Sequence, residues 1–467
     1  MASPLKHEHE HDTLSGIKRR LRGAYDLDLN VSYSRLGSLF HPQLGTAVGD
    51  LTAAVKRLYG STRLSLGTNG TTASNTLMVL SAAVEGESLI MDRHSHGSVY
   101  GALVLGGATP HYLPPRFDQD RGVPQVSLTS DVEQALATHP QARSVLITAP
   151  NYYGAQPDLP GIRKQVRAAG CWQLIDAAHG AHLRASPRLA PAIEEMQPDL
   201  MTTSLHKTLG ALSQSSVLLG FGDNPELDAR LQELIDTTPV ISTSFSTVIL
   251  ASIEPALAEV QQTDRWERAV DLAADLRERL SYLPGCRVID LAAQIGVAAC
   301  DPLRVCLDVS ATGLTGYTLA DQLEAAGHIT EMSTDRHVLL LLTSATSQAA
   351  TDSFLATLTE IIQAANVKPH STRTGLHPPD GLPSMVLTPR QAFLAARRAQ
   401  RRVPVADAVG SVSAETLAAY PPGAPIVIAG ERLRSDDLEY LRSVRRLGGV
   451  LKGSADLELN TVAIIDD

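Results

Sequence analysis

Thr202-Thr203-Ser204-Leu205-His206-Lys207, read together with Leu174-Ile175-Asp176-Ala177-Ala178-His179, decides the fold of this chain. The upstream segment is apolar and stops at a carboxylate. A buried parallel strand reads this way when it delivers a side chain to the carboxyl edge of its sheet, where open α/β sheets bind ligands. Asp176 is therefore expected at a ligand site. Lys207 lies beside hydroxyls and a histidine, and burial with nearby positive charge lowers the pKa of such an amine and frees it as a nucleophile. A carboxylate that keeps a pyridine nitrogen protonated and a lysine that forms a Schiff base are the two groups that pyridoxal phosphate requires. In isolation a solvated turn explains the Ser-x-His-Lys run as well, so further segments have to carry the reading.

Leu66-Gly67-Thr68-Asn69-Gly70-Thr71-Thr72-Ala73-Ser74-Asn75 supplies one: a glycine and hydroxyl loop opening the apolar stretch Leu77 to Leu80. Amides at the start of a helix, joined by the Thr71 and Thr72 hydroxyls, suit an anion such as a phosphate; an ordinary helix cap gives the same letters. Leu89-Ile90-Met91-Asp92 reads as a strand. The polar loop after it holds His94 and His96, of which His96 is the candidate to stack on a cofactor ring.

The order of these segments, a Gly-Thr loop, Asp-Arg-x-x-His-x-Ser, Asp-x-Ala-His and Ser-x-His-Lys, resembles the ornithine, lysine and arginine decarboxylases of the aspartate aminotransferase fold. The likeness extends over Thr208 to Ser216, Thr237-Thr238, Ser242-Thr243-Ser244 and Ser310 to Gly316. It continues through Leu387-Thr388-Pro389-Arg390, Tyr420-Pro421-Pro422-Gly423, Gly430-Glu431 and Gly448-Gly449. The resemblance implies a fold-type-I pyridoxal phosphate fold: an α/β protein with a mainly parallel, seven-stranded type of sheet, helices on both faces, and small α/β C-terminal domains. It implies a Schiff base at Lys207, pairing of Asp176 with the ring nitrogen, stacking by His96, and phosphate contacts from Gly70, Thr71, Thr72, Ser204 and His206. Ala178 and His179 would lie against the ring, and His206 joins Lys207 as a candidate proton donor. Sites of this family lie at a dimer interface, so Ser244 would reach the neighbouring subunit's cofactor in a homodimer or higher homo-oligomer. Glu431 would meet the distal cation of a basic amino acid.

The activity so implied is decarboxylation of arginine, lysine or ornithine to the amine and carbon dioxide, a step of polyamine biosynthesis. Two alternatives stay open: another reaction on the same cofactor, aminotransfer or aldol cleavage, and a non-catalytic relative with a binding or regulatory role. One departure bears on them. Relatives carry an aromatic-His-x-Pro-Gly-His-Lys segment near the start, whereas this chain shows His7-Glu8-His9-Glu10-His11-Asp12 and then Arg19-Arg20-Leu21-Arg22.

The periodicities divide the chain into an N-terminal arm (1–40), a large cofactor-binding domain (41–283) ending in a linking helix from Glu254 to Leu283, a small α/β domain (284–366), a linker rich in Pro and Gly (367–386) and a C-terminal domain (387–467). A length of 467 residues leaves room for such a set of domains. The net charge of −10 speaks against a nucleic-acid surface. Cys171, Cys286, Cys300 and Cys306 show no metal-binding spacing, and no metal is expected. There is no apolar run of membrane-spanning length and no signal pattern, so no membrane partner and a cytoplasmic location are expected.

Overall fold

The computed structural model describes residues 30–32, 42–236, 241, 244–365, 375–420 and 423–466. Short aliphatic runs bounded by glycine or polar turns form its strands. These are β1 (Asn30–Ser32), β2 (Arg63–Gly67), β3 (Ser88–Asp92), β4 (Thr109–Leu113), β5 (Ser144–Thr148), β6 (Trp172–Asp176), β7 (Leu200–Ser204), β8 (Ser216–Gly220) and β9 (Ser244–Ser246). Seven of them build the central sheet in the order β2-β8-β7-β6-β5-β3-β4. All of its pairings are parallel except the two made by β8. The α/β class and the mainly parallel seven-stranded sheet expected from the sequence are thus present.

Alternation along each strand puts successive side chains on opposite faces, and the two faces bury separate clusters. Ile90, Val145, Ile147, Ile175, Met201, Val217 and Leu219 enter one cluster. Leu89, Met91, Leu146, Leu174, Leu200 and Leu218 enter the other. The first face is covered by α1 (Pro42–Tyr59) and α5 (Leu159–Ala168), and the second by α2 (Gly70–Ala82), α3 (Gly97–Gly106) and α6 (Pro225–Asp236), with α4 (Thr129–Thr138) also on the first. Hydrophobic runs buried on both sides are what a parallel sheet under two helical layers demands.

The long periodic stretch expected as one linking helix is two helices, α7 (Thr247–Val260) and α8 (Thr263–Ser281). The break has a local cause. The Glu259 carbonyl accepts from the Gln262 amide (3.0 Å) and from the Trp266 indole (3.1 Å), which draws it away from a continuing helical ladder. Beyond α8, β10 (Arg287–Val288), β11 (Arg304–Asp308), β12 (Met332–Ser333) and β13 (His337–Leu341) form an antiparallel sheet in the order β10-β11-β13-β12. Helices α9 (Gly316–Ala325) and α10 (Gln348–Ala364) pack on it, and its apolar face joins the first cluster of the large sheet. Residues 389–465 add helices α11 (Pro389–Arg398) and α12 (Ser435–Arg446) with two three-stranded sheets around their own core. Of the arm read over residues 1–40, only β1 lies within the described residues.

Leu174 and Ile175 are adjacent and point into the two different cores, so each tests one face. Replacing either by Ala is expected to cost about 2–5 kcal/mol, read as a lowered thermal or urea midpoint. A loss confined to one of the two variants would contradict the two-sided packing of β6.

Candidate functional site

Three strand ends and two helix starts converge at the carboxyl edge of the sheet. β6 ends at Asp176 and β7 ends at Ser204, followed after Leu205 by His206 and Lys207. Strand β2 ends at Gly67, and α2 begins at Gly70 with a left-handed φ of 73°, a conformation that glycine adopts at little cost. The Gly70 amide donates to the Gln214 carbonyl at 2.7 Å, so the loop after β7 clamps the start of α2. Amides in the first turn of α2 have no carbonyl one turn back to bind, which leaves the helix start able to receive an anion. The Thr71 and Ser204 hydroxyls meet there. Thr68 Oγ1 accepts from the Ser246 amide at 3.2 Å, and β9, carrying Ser246, pairs antiparallel with β1.

These elements enclose a cavity of about 450 Å³ lined by Gly70, Thr71, Thr72, His96, Asp176, Ala178, His179, Ser204, His206 and Lys207. Every cofactor residue expected from the sequence is therefore gathered in one place, apart from Ser244, whose side chain lies outside the described residues together with Ser242 and Thr243. The backbone of Ser244 pairs with Ser32.

Asp176 is only 1% exposed, and its carboxylate is satisfied twice: Oδ2 accepts from Asn75 Nδ2 at 2.8 Å and Oδ1 from the Ala178 amide at 3.1 Å. Asn75 is fixed in turn. Its second amide hydrogen goes to Ser98 Oγ at 2.9 Å, and its Oδ1 accepts from the Thr202 hydroxyl at 3.0 Å. Ser98 holds His96, whose Nδ1 accepts from the Ser98 amide at 3.2 Å and lies 2.8 Å from Ser98 Oγ. His96 caps α3 and opens to the cavity, with its pKa lowered by desolvation against the raising effect of Asp176. A hydrogen-bonded chain thus runs from the carboxylate that would meet a ring nitrogen to the imidazole that would cover the ring. Neither Asn75 nor Ser98 was assigned a role from the sequence; the only signal in it is that both lie inside the quoted loop segments.

Lys207 Nζ lies 3.2 Å from His179 Nε2. Burial lowers the pKa of Lys207, opposed by Asp176 and Glu331. The His179 ring packs on Tyr152 with centroids 4.7 Å apart. His206 turns its Nδ1 to the Ser215 carbonyl at 2.8 Å, which leaves Nε2 for the cavity.

The residues present suit pyridoxal phosphate. A carboxylate and a lysine stand in one cavity with a helix start and hydroxyls. The buried hydroxyl of Thr148, beside Asp176 in register, lines the same cavity and has no hydrogen-bonding partner among the described residues. An orphaned polar group of this kind is expected where a polar ligand belongs.

Glu431 is placed differently from the expectation. It is 1% exposed, does not line this cavity, and forms a two-pronged ion pair with Arg93 (2.6 and 2.8 Å) while accepting from the Ile428 amide at 2.8 Å. Arg93 also lies over the Tyr112 ring and donates to the Ile426 carbonyl at 2.9 Å. The carboxylate is thereby committed to holding the C-terminal region against the loop after β3. Asp437, another acid of the C-terminal region, is likewise buried and bound, by Arg434 (2.6 and 2.8 Å).

A family model described as Orn/Lys/Arg decarboxylase, major domain, matches residues 23–304, and a second, Orn/Lys/Arg decarboxylase, C-terminal domain, matches residues 373–454. The chain is 28% identical over 416 residues to an arginine decarboxylase of Bacillus subtilis (strain 168), covering 88% of this chain and 83% of the relative. The solved constitutive lysine decarboxylase of Escherichia coli superposes with a TM-score of 0.77 at 20% identity, over 98% of this chain and 83% of that one. Serine palmitoyltransferase of Sphingomonas wittichii superposes over 76% of this chain and 85% of its own, with a TM-score of 0.56 at 16% identity.

Two outcomes test this geometry. Asn75→Leu removes both donors that set Asp176 and Ser98, and turnover is expected to fall about 10²-fold through misplacement of the carboxylate, with the far-UV circular dichroism unchanged; unaltered turnover would contradict the role given to Asn75. Glu431→Gln strips the charge from a buried pair and is expected to cost about 3–5 kcal/mol of stability. A raised KM for a basic amino acid at unchanged stability would instead return Glu431 to the substrate.

Proposed function

Since the chain belongs to the Orn/Lys/Arg decarboxylase family, a family of pyridoxal phosphate-dependent carboxy-lyases, we propose that it removes the α-carboxylate of a basic amino acid at the cavity defined by Asp176 and Lys207. The observation that carries the proposal is the placement of Lys207 Nζ in the same cavity as a buried, doubly hydrogen-bonded Asp176 and an open His96. When bound, pyridoxal phosphate supplies an electron sink for the bond that breaks at the α-carbon.

The chain's own residues do the rest. Lys207 Nζ would serve as the covalent anchor, which its burial favours by disfavouring the ammonium. Asp176, set by Asn75 and the Ala178 amide, would hold a proton on the ring nitrogen. The helix start at Gly70 to Thr72, with Ser204 and His206, would hold the phosphate, and His96 would lie against the ring and restrict its movement. Lys207 Nζ, or His206 Nε2, returns a proton to the α-carbon. Arginine is the first substrate to test, because the Bacillus relative bears that name. A cytoplasmic location, an amine product that feeds polyamine synthesis and a shared-site homodimer reached through Ser244 belong to the same proposal. Among the described residues no helix is long and apolar enough to cross a membrane.

Incubating the purified protein and pyridoxal phosphate with arginine, lysine and ornithine separately is expected to release carbon dioxide and the matching amine in equal amounts from at least one of them. Keto-acid formation without carbon dioxide would replace decarboxylation by aminotransfer, and inertness toward all three would leave a non-catalytic relative. In the active case Asp176→Asn is expected to lower turnover by about 10³-fold or more, each factor of ten being ~1.4 kcal/mol in the barrier. Activity near that of the wild type would remove Asp176 from its place.

A further inference from the structure

His179 is held from both sides. Its Nδ1 lies 2.9 Å from an Arg304 guanidinium nitrogen, and its Nε2 lies 3.2 Å from Lys207 Nζ. A guanidinium has only donors and does not lose its charge in a protein, so Nδ1 has to be the acceptor. The ring proton of a neutral imidazole then sits on Nε2, aimed at Lys207. An ammonium group has three donors and no lone pair. The contact between Nε2–H and Nζ is therefore a hydrogen bond only when Lys207 carries an unprotonated amine.

We propose that Arg304 is a positioning residue which, by fixing His179 in its Nε2–H tautomer, keeps the Lys207 amine unprotonated and ready to act as a nucleophile. The inference rests on the reading of Lys207 as the cofactor-binding lysine and names the device that keeps it available.

The surroundings of Arg304 are built for this task. Its side chain, on β11, is fully buried; one arm reaches Glu331 at 3.2 Å, and Asp301 lies at 3.9 Å. Asp301 is itself 3.0 Å from His182 Nε2. Space for the Arg304 stem comes from Gly154, where an added Cβ would fall 2.7 Å from Arg304 Cγ in a backbone with φ +87°. Tyr152 packs on the imidazole and resists its rotation. The charged and titratable groups that face Lys207 are Asp176 from β6, His96 from the start of α3, His179, Arg304 from β11 and Glu331 from the segment before β12. Asp176 and Glu331 favour the ammonium. Burial disfavours it, and the Arg304 charge adds to that effect. Burial above all, with the Arg304 charge, also holds His179 well below the usual imidazole range, which keeps the ring neutral.

The test reads the protonation of Lys207 and needs no turnover. The full chain, purified free of pyridoxal phosphate, is labelled with acetic anhydride across a pH series, and acetylation of the Lys207 peptide is measured by mass spectrometry. Arg304→Met is expected to raise the midpoint for Lys207 by about one pH unit, a tenfold shift in its protonation equilibrium, while Arg304→Lys, which keeps a donor to Nδ1, stays near the wild type. In a His179→Phe background Arg304→Met should shift the midpoint far less, leaving only the direct effect of the lost Arg304 charge on Lys207. An unchanged midpoint in Arg304→Met, or an equal shift in the His179→Phe background, would overturn the proposal, the latter because the effect would then be one of charge alone. Should the variants fail to fold, ¹⁵N-histidine spectra of the wild-type chain decide: His179 is expected with a bare Nδ1 and a protonated Nε2, and the other tautomer or the imidazolium would overturn the proposal. A protein that fails to decarboxylate would leave these readouts intact, and their failure would leave the decarboxylase reading intact.

Discussion

A carboxylate that is 1% exposed at the end of a buried strand is the constraint around which this structure is arranged. Removing a charge from water costs several kcal/mol unless donors replace the lost hydration. Asp176 finds two such donors, the Asn75 amide and the Ala178 N–H. Asn75 can serve only because α2 starts at Gly70 and brings its first turns over the sheet edge. α2 can start there only because the Gln214 carbonyl receives the Gly70 amide. The loop carrying Lys207 and the loop that starts α2 are thus locked together by main chain, and the carboxylate draws both toward it.

The sheet makes the arrangement rigid. Neighbouring residues in β6 point into different cores, so a slip of one residue would exchange Leu174 for Ile175 and turn Asp176 out of the cavity. Thr148 and Asp176 stand in register on adjacent parallel strands, and Thr202 stands opposite Asp176 on the other side. Thr202 is also the donor that orients Asn75. Packing of the strands and polarity of the site are therefore one constraint: the register that buries the aliphatic side chains is the register that completes the hydrogen-bonded chain to His96.

Much of the site was legible in the sequence, for a physical reason. Asp176, Ser204, His206, Lys207 and the Gly70 to Thr72 loop each sit at the junction of a local signal, an apolar strand giving way to a polar turn, and such junctions are visible within about ten residues. Asn75, Ser98, Arg304 and Glu331 act through contacts between distant segments, and nothing within their own segments points to the partner. Arg304 reaches His179 across 125 residues, and Asn75 reaches Asp176 across 101. Glu431 shows the same limit from the other side. An acid after a glycine in the C-terminal region reads as available for a ligand, and only folding reveals Arg93, 338 residues away, already bound to it. The break between α7 and α8 escaped for a related reason. Its apolar period continues across Gln261 and Gln262, and the indole that captures the Glu259 carbonyl is a side-chain contact that periodicity does not register.

The central claim is that Lys207 and Asp176 are the two poles of a pyridoxal phosphate site. It is tested most directly by loading the full chain with pyridoxal phosphate, reducing with borohydride and locating the added phosphopyridoxyl mass by peptide mass spectrometry. That mass is expected on the peptide containing Lys207. Its appearance on another lysine, such as Lys164 or Lys452, or on none, would take the cofactor bond away from Lys207.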